Sequence, residues 1–456
     1  MFPAHIFKAY DIRGIYPQEL NEELAYKIGR AFGTLRHREL GRDKIKVVVG
    51  RDMRPSSLSL QESLMNGLKD QGLDVIDIGL VSTPTFYFGV SFYEADGGLM
   101  VSASHNPTEY NGIKITRERA TPLGQGTGME ELKDLVAGGN FVNPAFYGTS
   151  ELKAGILDEQ MKLEKNQGDL NKIKPFKIVV DPANAAGILY LEKIFSLLPQ
   201  VEWIKMNFEL DGTFPAHQAD PFQEKNVKDL QDRVVAEKAD LGIATDGDGD
   251  RIFFIDDSGR TVAPPIMRGI LAQIFLRENS GATICYDIRP GKITRDMIEQ
   301  AGGVPCVTKV GHSLIKKQML ETGAFFGGES SGHFFVKFPY GVFEAPIVVI
   351  LKFLLFLSEK NVPLSAVVGP LKKYFSSGEI NLKVENKDKV IKCLKEKFAD
   401  GEINLMDGLS VSYPDFWFNV RGSNTEPLLR VSLEGVSQEI VETKVKEIQE
   451  VIKASV

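Results

Sequence analysis

Between residues 239 and 256 the chain reads ADLGIATDGDGDRIFFID, three aspartates alternating with two glycines between apolar, strand-like runs. Glycine allows a turn tight enough for Asp246, Asp248 and Asp250 to converge. Converging carboxylates repel one another strongly unless a cation sits among them. An EF-hand also opens D-x-D-x-D, but its sixth position should be Gly and its twelfth Glu, where this chain has Arg251 and Asp257. The EF-hand is excluded. An all-oxygen site with few protein ligands suits Mg²⁺, which completes its octahedron with water or phosphate oxygens. The competing reading is a solvated acidic turn.

Other loops carry complementary chemistry. Residues 97–115, GGLMVSASHNPTEYNGIKI, run from an apolar strand into Ser-His-Asn-Pro, and Ser104 beside His105 suggests a nucleophile with its own base. Adjacent side chains on extended backbone point to opposite faces, so His105 is expected to be poorly placed to take the Ser104 proton. The Asn-Pro turn is expected instead to fix the backbone so that Ser104 projects into a cleft. Residues 323–336, GAFFGGESSGHFFV, present Glu329, Ser330, Ser331 and His333. A carboxylate and a hydroxyl there could hold vicinal sugar hydroxyls, or the segment could be simply a Gly/Ser loop.

In residues 418–435, FNVRGSNTEPLLRVSLEG, Arg421, Ser423, Asn424, Thr425 and Arg430 crowd donors around a tight turn. That is the donor set a phosphate dianion wants, though a salt-bridged surface turn reads the same way. The nucleotide-binding P-loop pattern is missing. Two shorter stretches complete the set. FKAYDIRG (7–14) offers Lys8, Tyr10, Asp11 and Arg13, and TKVGHSLIKK (308–317) offers Lys309 and His312 at a strand-to-helix junction. Loops at the carboxyl ends of strands are where α/β sheets place ligands. His312 could equally be only a helix N-terminal residue.

These loops need elements to position them. KVVVG (46–50) reads as a strand and RDMRPSS (51–57) as a loop, with Ser56 the N-cap of a helix through Leu60, Leu64 and Leu68 that ends near Gly72. VIDIG (75–79) supplies the next strand of this βαβ unit. The order strand, loop, helix recurs at 176–195 and 282–311, pointing to three α/β domains of one design. After residue 368, strands and helices alternate with antiparallel spacing, as in a small α+β domain, with a final amphipathic helix from about Gln438. The expected domains are 1–150, 151–252, 253–368 and 369–456.

Composition narrows the classes. A chain of 456 residues is long enough for roughly three or four domains. With 43% hydrophobic and 25% charged residues it is an ordinary globular protein. A net charge of −7 argues against a non-specific nucleic-acid binder, while a local cationic pocket for a small anion remains open. Cys285, Cys306 and Cys393 give neither a disulfide framework nor a zinc site. The N-terminal MFPAHIFKAYDIRG lacks a signal-peptide pattern. The run IVVILKFLLFL (347–357), interrupted by Lys352, falls short of the roughly 20 residues that span a bilayer and reads as a buried helix. No membrane, nucleic-acid or protein partner is implied, and a cytoplasmic location is expected.

A hydroxyl nucleophile, a Mg²⁺ cage, a sugar-type loop and an anion-type loop, each in a different expected domain, make sense together in a cleft where four domains meet. The set suggests phosphoryl transfer to or from a phosphorylated polyol. SASHNP, DGDGDR, GESSGH and RGSNTEP, in this order and together with YDIRG and KVGHS, resemble the signature loops of the α-D-phosphohexomutase superfamily over essentially the whole chain. The likeness is greatest to the bacterial phosphomannomutase/phosphoglucomutase group. The resemblance implies three similar α/β domains with mixed sheets and a smaller C-terminal α+β domain around a central cleft.

It also implies that Ser104 is a phosphoserine in the resting enzyme, its phosphate lying against Mg²⁺ held by Asp246, Asp248 and Asp250. Glu329 and Ser331 would hold sugar hydroxyls, while Arg421, Ser423, Asn424, Thr425 and Arg430 would grip the non-reacting phosphate. Tyr10, Arg13, Lys114, Arg251, Lys309, His312 and His333 would line the reacting centre or the sugar path, with His312, Lys114 and Arg13 as acid–base candidates. The implied reaction interconverts hexose 1-phosphate and hexose 6-phosphate of mannose or glucose through a hexose 1,6-bisphosphate, which also serves as activator. Phosphoglucosamine mutases usually read SGTEP and GEQSGH at the corresponding loops. Ser330 occupies a variable position there, and DIRPGKIT (287–294) carries no legible specificity signal. The rivals are a phosphoglucosamine mutase, a Mg²⁺-dependent sugar phosphatase and a non-catalytic sugar-phosphate sensor.

Overall fold

A computed structural model of the chain describes residues 2–142, 144–289, 291–384, 386–422 and 428–455. The chain divides into two compact units. The first holds the residues through Val262 with Met319–Glu321 and Ser331–Ser365; the second holds Ala263–Gln318, Thr322–Ser330 and the residues from Ala366 onward.

The first unit contains two mixed sheets. One orders its strands as Ile12–Ile15, Tyr110–Arg117, Gly97–Val101, Ile45–Arg51, Leu73–Leu80 and Ser150–Leu152. Its central pairs are parallel, whereas Tyr110–Arg117 returns antiparallel to Gly97–Val101. That return places Lys114 opposite Met100, just before the Ser104 loop. The expected helix spans Ser57–Asp70 and buries Leu60, Leu64 and Leu68 completely. Ser56 stands at the N-cap position but has helical φ/ψ, and its side chain makes no cap hydrogen bond. Its hydroxyl instead accepts from Asn111 Nδ2 at 2.8 Å, a tertiary contact that displaces the local cap.

The second sheet orders Ile252–Asp256, Leu241–Thr245, Lys177–Asp181 and Glu202–Lys205. The first two form an antiparallel pair, so the aspartate-glycine segment is the loop between adjacent buried strands. This sheet runs to Asp256, past the boundary expected at 252. An antiparallel hairpin of Phe334–Phe338 and Gly341–Glu344 also belongs to this unit. The helix Pro346–Lys360 follows, buried on nearly every face including Lys352, as its apolar run predicts.

In the second unit Thr283–Asp287 lies parallel to Val304–Thr308 on one side and to Phe326–Gly328 on the other. The tail forms a five-stranded antiparallel sheet, Phe375–Lys383, Leu428–Gly435, Phe416–Gly422, Leu409–Ser412 and Glu402–Asn404. Helices Lys387–Lys397 and Gln438–Ser455 pack their apolar residues into the core of this small α+β domain. Among the described residues no helix is long and apolar enough to cross a membrane.

Candidate active site

The buried strand Gly97–Val101 delivers the chain into a turn where Ser104 takes φ +51°. A non-glycine residue in this left-handed region needs outside support. Arg54 provides it. Its buried guanidinium donates to the carbonyl oxygens of Ser104 (2.8 Å), Asn106 (2.6 Å), Pro107 (2.7 Å) and Tyr110 (3.0 Å). A planar fork of donors suits such a cluster of carbonyls better than an ammonium would. Arg54 Nε also lies 3.3 Å from Asp52, and Phe214 stacks against the guanidinium at 4.9 Å.

The turn corrects the expectation for His105. Its Nδ1 lies 3.1 Å from Ser104 Oγ, because the positive φ at Ser104 breaks the extended geometry that would have sent the two side chains apart. Burial, then the nearby Arg251 and Arg13, drive the His105 imidazole far below its ordinary pKa and keep it neutral. Ser104 Oγ itself donates to Asp246 Oδ2 at 2.7 Å.

Asp246, Asp248 and Asp250 converge as their spacing predicts, with ligand-type oxygens within 4.8 Å of one another and all three buried. Gly247 makes the approach to Ser104 feasible: a Cβ there would stand 2.2 Å from the Ser104 carbonyl oxygen. Asp246 Oδ1 accepts from the backbone N–H groups of Asp250 and Arg251, each at 3.1 Å. Lys114 Nζ bridges Asp248 Oδ2 (2.7 Å) and Asp250 Oδ2 (2.6 Å). His333 Nε2 lies 3.1 Å from Asp250 Oδ1, and Ser331 Oγ lies 2.8 Å from His333 Nδ1. Arg251 Nε is 3.4 Å from His333 Nε2 and 3.7 Å from Asp246 Oδ2.

Burial and neighbouring charges pull the groups of this cluster in opposite directions. Burial opposes ionisation of Asp250, yet Lys114 and then His333 hold it well below the usual carboxylate range. The same two aspartates outweigh burial at Lys114 and raise its ammonium pKa. Asp246 goes the other way, pushed up by burial and then by Asp250 and Asp248. Asp248 Oδ1 is buried and, among the described residues, accepts no hydrogen bond. A buried acceptor without a donor is costly, and a divalent cation among these oxygens would satisfy it. The residues present fit a hard, oxygen-preferring cation such as Mg²⁺.

Arg13 reaches the same neighbourhood: its Nη1 donates to Asn106 Oδ1 at 2.6 Å and its Nε to Asp11 at 2.9 Å. Tyr10 is partly buried on the segment before the first strand. Lys309, His312, Glu329, Arg421 and Arg430 belong to the second unit. There Glu329 is buried and accepts from the N–H of Gly311, just before the helix His312–Thr322, so the KVGHS and GESSGH loops meet. Lys309 is exposed and His312 partly buried. Arg421 and Arg430 are cross-strand partners and share the Glu379 carboxylate, at 2.8 and 3.3 Å. Ser423, Asn424 and Thr425 lie outside the described residues.

Four family models match the chain in order. They are phosphoglucomutase/phosphomannomutase alpha/beta/alpha domain I (residues 4–142), domain II (158–259), domain III (266–374) and the C-terminal domain (379–451). A phosphomannomutase of Vibrio cholerae is 37% identical, covering 98% of each chain. The phosphomannomutase/phosphoglucomutase of Pseudomonas aeruginosa is 36% identical over 96% of this chain and 94% of its own. A crystal structure of a phosphoglucomutase/phosphomannomutase family protein from Burkholderia thailandensis superposes with a TM-score of 0.90 at 32% identity, covering 100% and 98% of the two chains. The chain belongs to the phosphoglucomutase/phosphomannomutase family. It is an enzyme of the α-D-phosphohexomutase superfamily, an intramolecular phosphotransferase of the isomerase class.

Within this phosphohexomutase, several residues that no local sequence pattern announces organise the loops. Arg54 is one. Asp287 is another, inside the DIRPGKIT stretch. It sits between Arg268 Nη1 (2.5 Å) and Arg289 Nη2 (2.5 Å) and accepts from Ser330 N and Oγ, both at 2.9 Å. Burial works against its charge, but Arg289 and then Arg268 lower it to about 2. Ser330, uninformative about substrate, is what fastens the sugar-type loop to this ion cluster. Only Arg289 stands near Asp287 in the sequence; Arg268, 19 residues upstream on the helix Pro264–Leu276, is brought to it by the fold.

Proposed function

We propose that this phosphohexomutase interconverts hexose 1-phosphate and hexose 6-phosphate of mannose or glucose, with Ser104 as the phosphoryl carrier. The observation that carries the reading is the placement of Ser104 Oγ at 2.7 Å from Asp246 in a buried triple-aspartate cluster whose oxygens lie close enough together to hold one cation. The relatives' names, phosphomannomutase and phosphomannomutase/phosphoglucomutase, support the substrate class.

In this reading phosphoserine 104 donates its phosphoryl group to the free hydroxyl of a hexose monophosphate. The Ser104 Oγ–P bond breaks as the sugar O–P bond forms, and the hydroxyl proton leaves to a base. The resulting hexose 1,6-bisphosphate turns end over end and returns its other phosphate to Ser104 Oγ; that sugar O–P bond breaks as the Oγ–P bond re-forms, and the released sugar oxygen takes back the proton from the base. Mg²⁺, held by Asp246, Asp248 and Asp250, would supply charge neutralisation on the phosphate. Lys114 balances the aspartates as a locked ammonium, and Arg251 and Arg13 add positive charge nearby. His105, kept neutral, orients the Ser104 hydroxyl. His312 stays a candidate for proton transfer.

Arg421 and Arg430, paired with Glu379 and, for Arg421, also with Asp407, are assigned to the non-reacting phosphate, together with Ser423, Asn424 and Thr425. Glu329 and Ser331 are assigned to sugar hydroxyls, and Tyr10, Lys309 and His333 to the substrate path. A division into domains near residues 150, 252 and 368 belongs to the same proposal, as does a cytoplasmic location.

A coupled assay with glucose 1-phosphate, mannose 1-phosphate and glucosamine 1-phosphate, each with Mg²⁺ and a bisphosphate activator, tests the substrate reading. Turnover should be greatest with the glucose or mannose ester. Preference for the glucosamine ester, or release of inorganic phosphate in place of isomerised product, would overturn it.

A further inference from the structure

We propose that Thr83 is a positioning residue of the metal loop, fixing which oxygen of Asp248 is free to bind the cation. The inference rests on the metal reading of the aspartate cluster and extends it to a residue far outside that loop. Thr83 begins the buried helix Thr83–Phe92 and is itself fully buried. It holds Asp248 twice: its N–H donates to the Asp248 carbonyl oxygen at 2.9 Å, and its Oγ1 donates to Asp248 Oδ2 at 2.7 Å. Lys114 Nζ lies 2.7 Å from that same Oδ2.

Two donors therefore occupy Oδ2, while Oδ1 is buried with no hydrogen bond among the described residues. The carboxylate cannot rotate without breaking both contacts, so Oδ1 is kept available in one orientation. Partners of this kind behind a metal ligand fix its rotamer, and losing one typically costs about 10- to 100-fold in metal affinity.

The helix start that carries Thr83 is itself held in place. Ser82 caps the helix through the Thr85 N–H, and its Oγ lies 2.9 Å from Thr85 Oγ1. Thr85 Oγ1 donates to Gln160 Oε1 at 2.8 Å, and Gln160 Nε2 donates to Glu164 Oε1 at 2.8 Å. This chain of buried hydrogen bonds anchors Thr83 against a second helix, Ile156–Glu164. A change of the Thr83 hydroxyl should accordingly be felt at Asp248, with little effect on the surrounding helices.

The test is direct titration of Mn²⁺, read by electron paramagnetic resonance of the free ion, on the full chain and on Thr83→Val, Thr83→Ala and Thr83→Ser. Thr83→Val and Thr83→Ala should bind Mn²⁺ about 10- to 100-fold more weakly, and Thr83→Ser, which keeps the hydroxyl, should bind it as tightly as the parent. Thermal melting without metal should show all three folded. Parental Mn²⁺ affinity in Thr83→Val or Thr83→Ala would overturn the proposal, as would a Thr83→Ser as weak as Thr83→Val. Loss of the fold in both Val and Ala variants would also overturn it, by assigning the hydroxyl to the fold. Failure of the parent chain to bind Mn²⁺ would instead overturn the metal reading beneath it.

Discussion

Ser104 Oγ and Asp246 Oδ2 stand 2.7 Å apart, although 142 residues separate them in the chain. The contact joins a turn from the first sheet to a loop from the second. It ties the Ser104 hydroxyl to the acidic cluster, and its consequences can be measured.

Ser104→Ala should abolish mutase turnover while leaving the fold and sugar-phosphate binding intact, because the hydroxyl is buried at the site and supports no core packing. The check is a coupled assay with bisphosphate activator, alongside calorimetry of sugar-phosphate binding. Parental turnover in the variant would remove the carrier role from Ser104.

Gly247→Ala tests whether the two loops must touch. The new methyl would stand 2.2 Å from the Ser104 carbonyl oxygen, so one loop has to move. A displacement on the order of 1 Å at a reacting centre costs about 100-fold in rate, and a drop of that order in kcat is expected. Unchanged kcat would mean that the apposition has no bearing on catalysis.

Arg54→Lys asks whether the donor fork holds the Ser104 turn. Lysine keeps a charge beside Asp52 but cannot reach four carbonyl oxygens at once. A buried carbonyl left without a donor costs about 1–3 kcal/mol. A loss of about 2 kcal/mol would lower Tm by about 4–8 °C, and turnover should fall with it. A variant with parental Tm and rate would contradict the assignment.

Glu164 gives a pH-dependent signature away from the aspartates. Burial pushes its carboxyl up to about 8, with only Gln160 acting in the other direction. The folded state therefore binds a proton that the unfolded chain releases, and stability falls as pH rises from the ordinary glutamate range towards 8. The slope is up to about 1.4 kcal/mol per pH unit within that window. Glu164→Gln should match the parent near pH 5 and become progressively more stable than it up to about pH 8. A Tm difference that does not change with pH would contradict this.

The loops bearing chemistry were legible in the sequence because their residue types are costly to keep without a use. Three alternating aspartates between strands need positive charge close by, and strand-to-helix loops mark the ligand end of an α/β sheet. The elements were legible for a different reason: Leu60, Leu64 and Leu68 recur at helical spacing, and the run around Lys352 is apolar on every face. What escaped was held by distance. Thr83 meets Asp248 across 165 residues and Arg54 meets Ser104 across 50, and no local pattern announces either pairing. His105 was misjudged because the left-handed φ of Ser104 cannot be read from a Ser-His pair. Ser56 stands at the expected N-cap position, yet Asn111, brought up by an adjoining strand, takes the hydroxyl that a local rule gives to the helix.

The central claim is that Ser104 carries the phosphoryl group. The chain should be incubated with Mg²⁺ and glucose 1,6-bisphosphate labelled in both phosphates, and the labelled peptide located by mass spectrometry. A subsequent chase with unlabelled hexose 1-phosphate then reports where the label goes. The account predicts a single adduct on Ser104 that persists in buffer and passes to the sugar during the chase. An adduct elsewhere, no adduct, or one released as inorganic phosphate before the chase would contradict it.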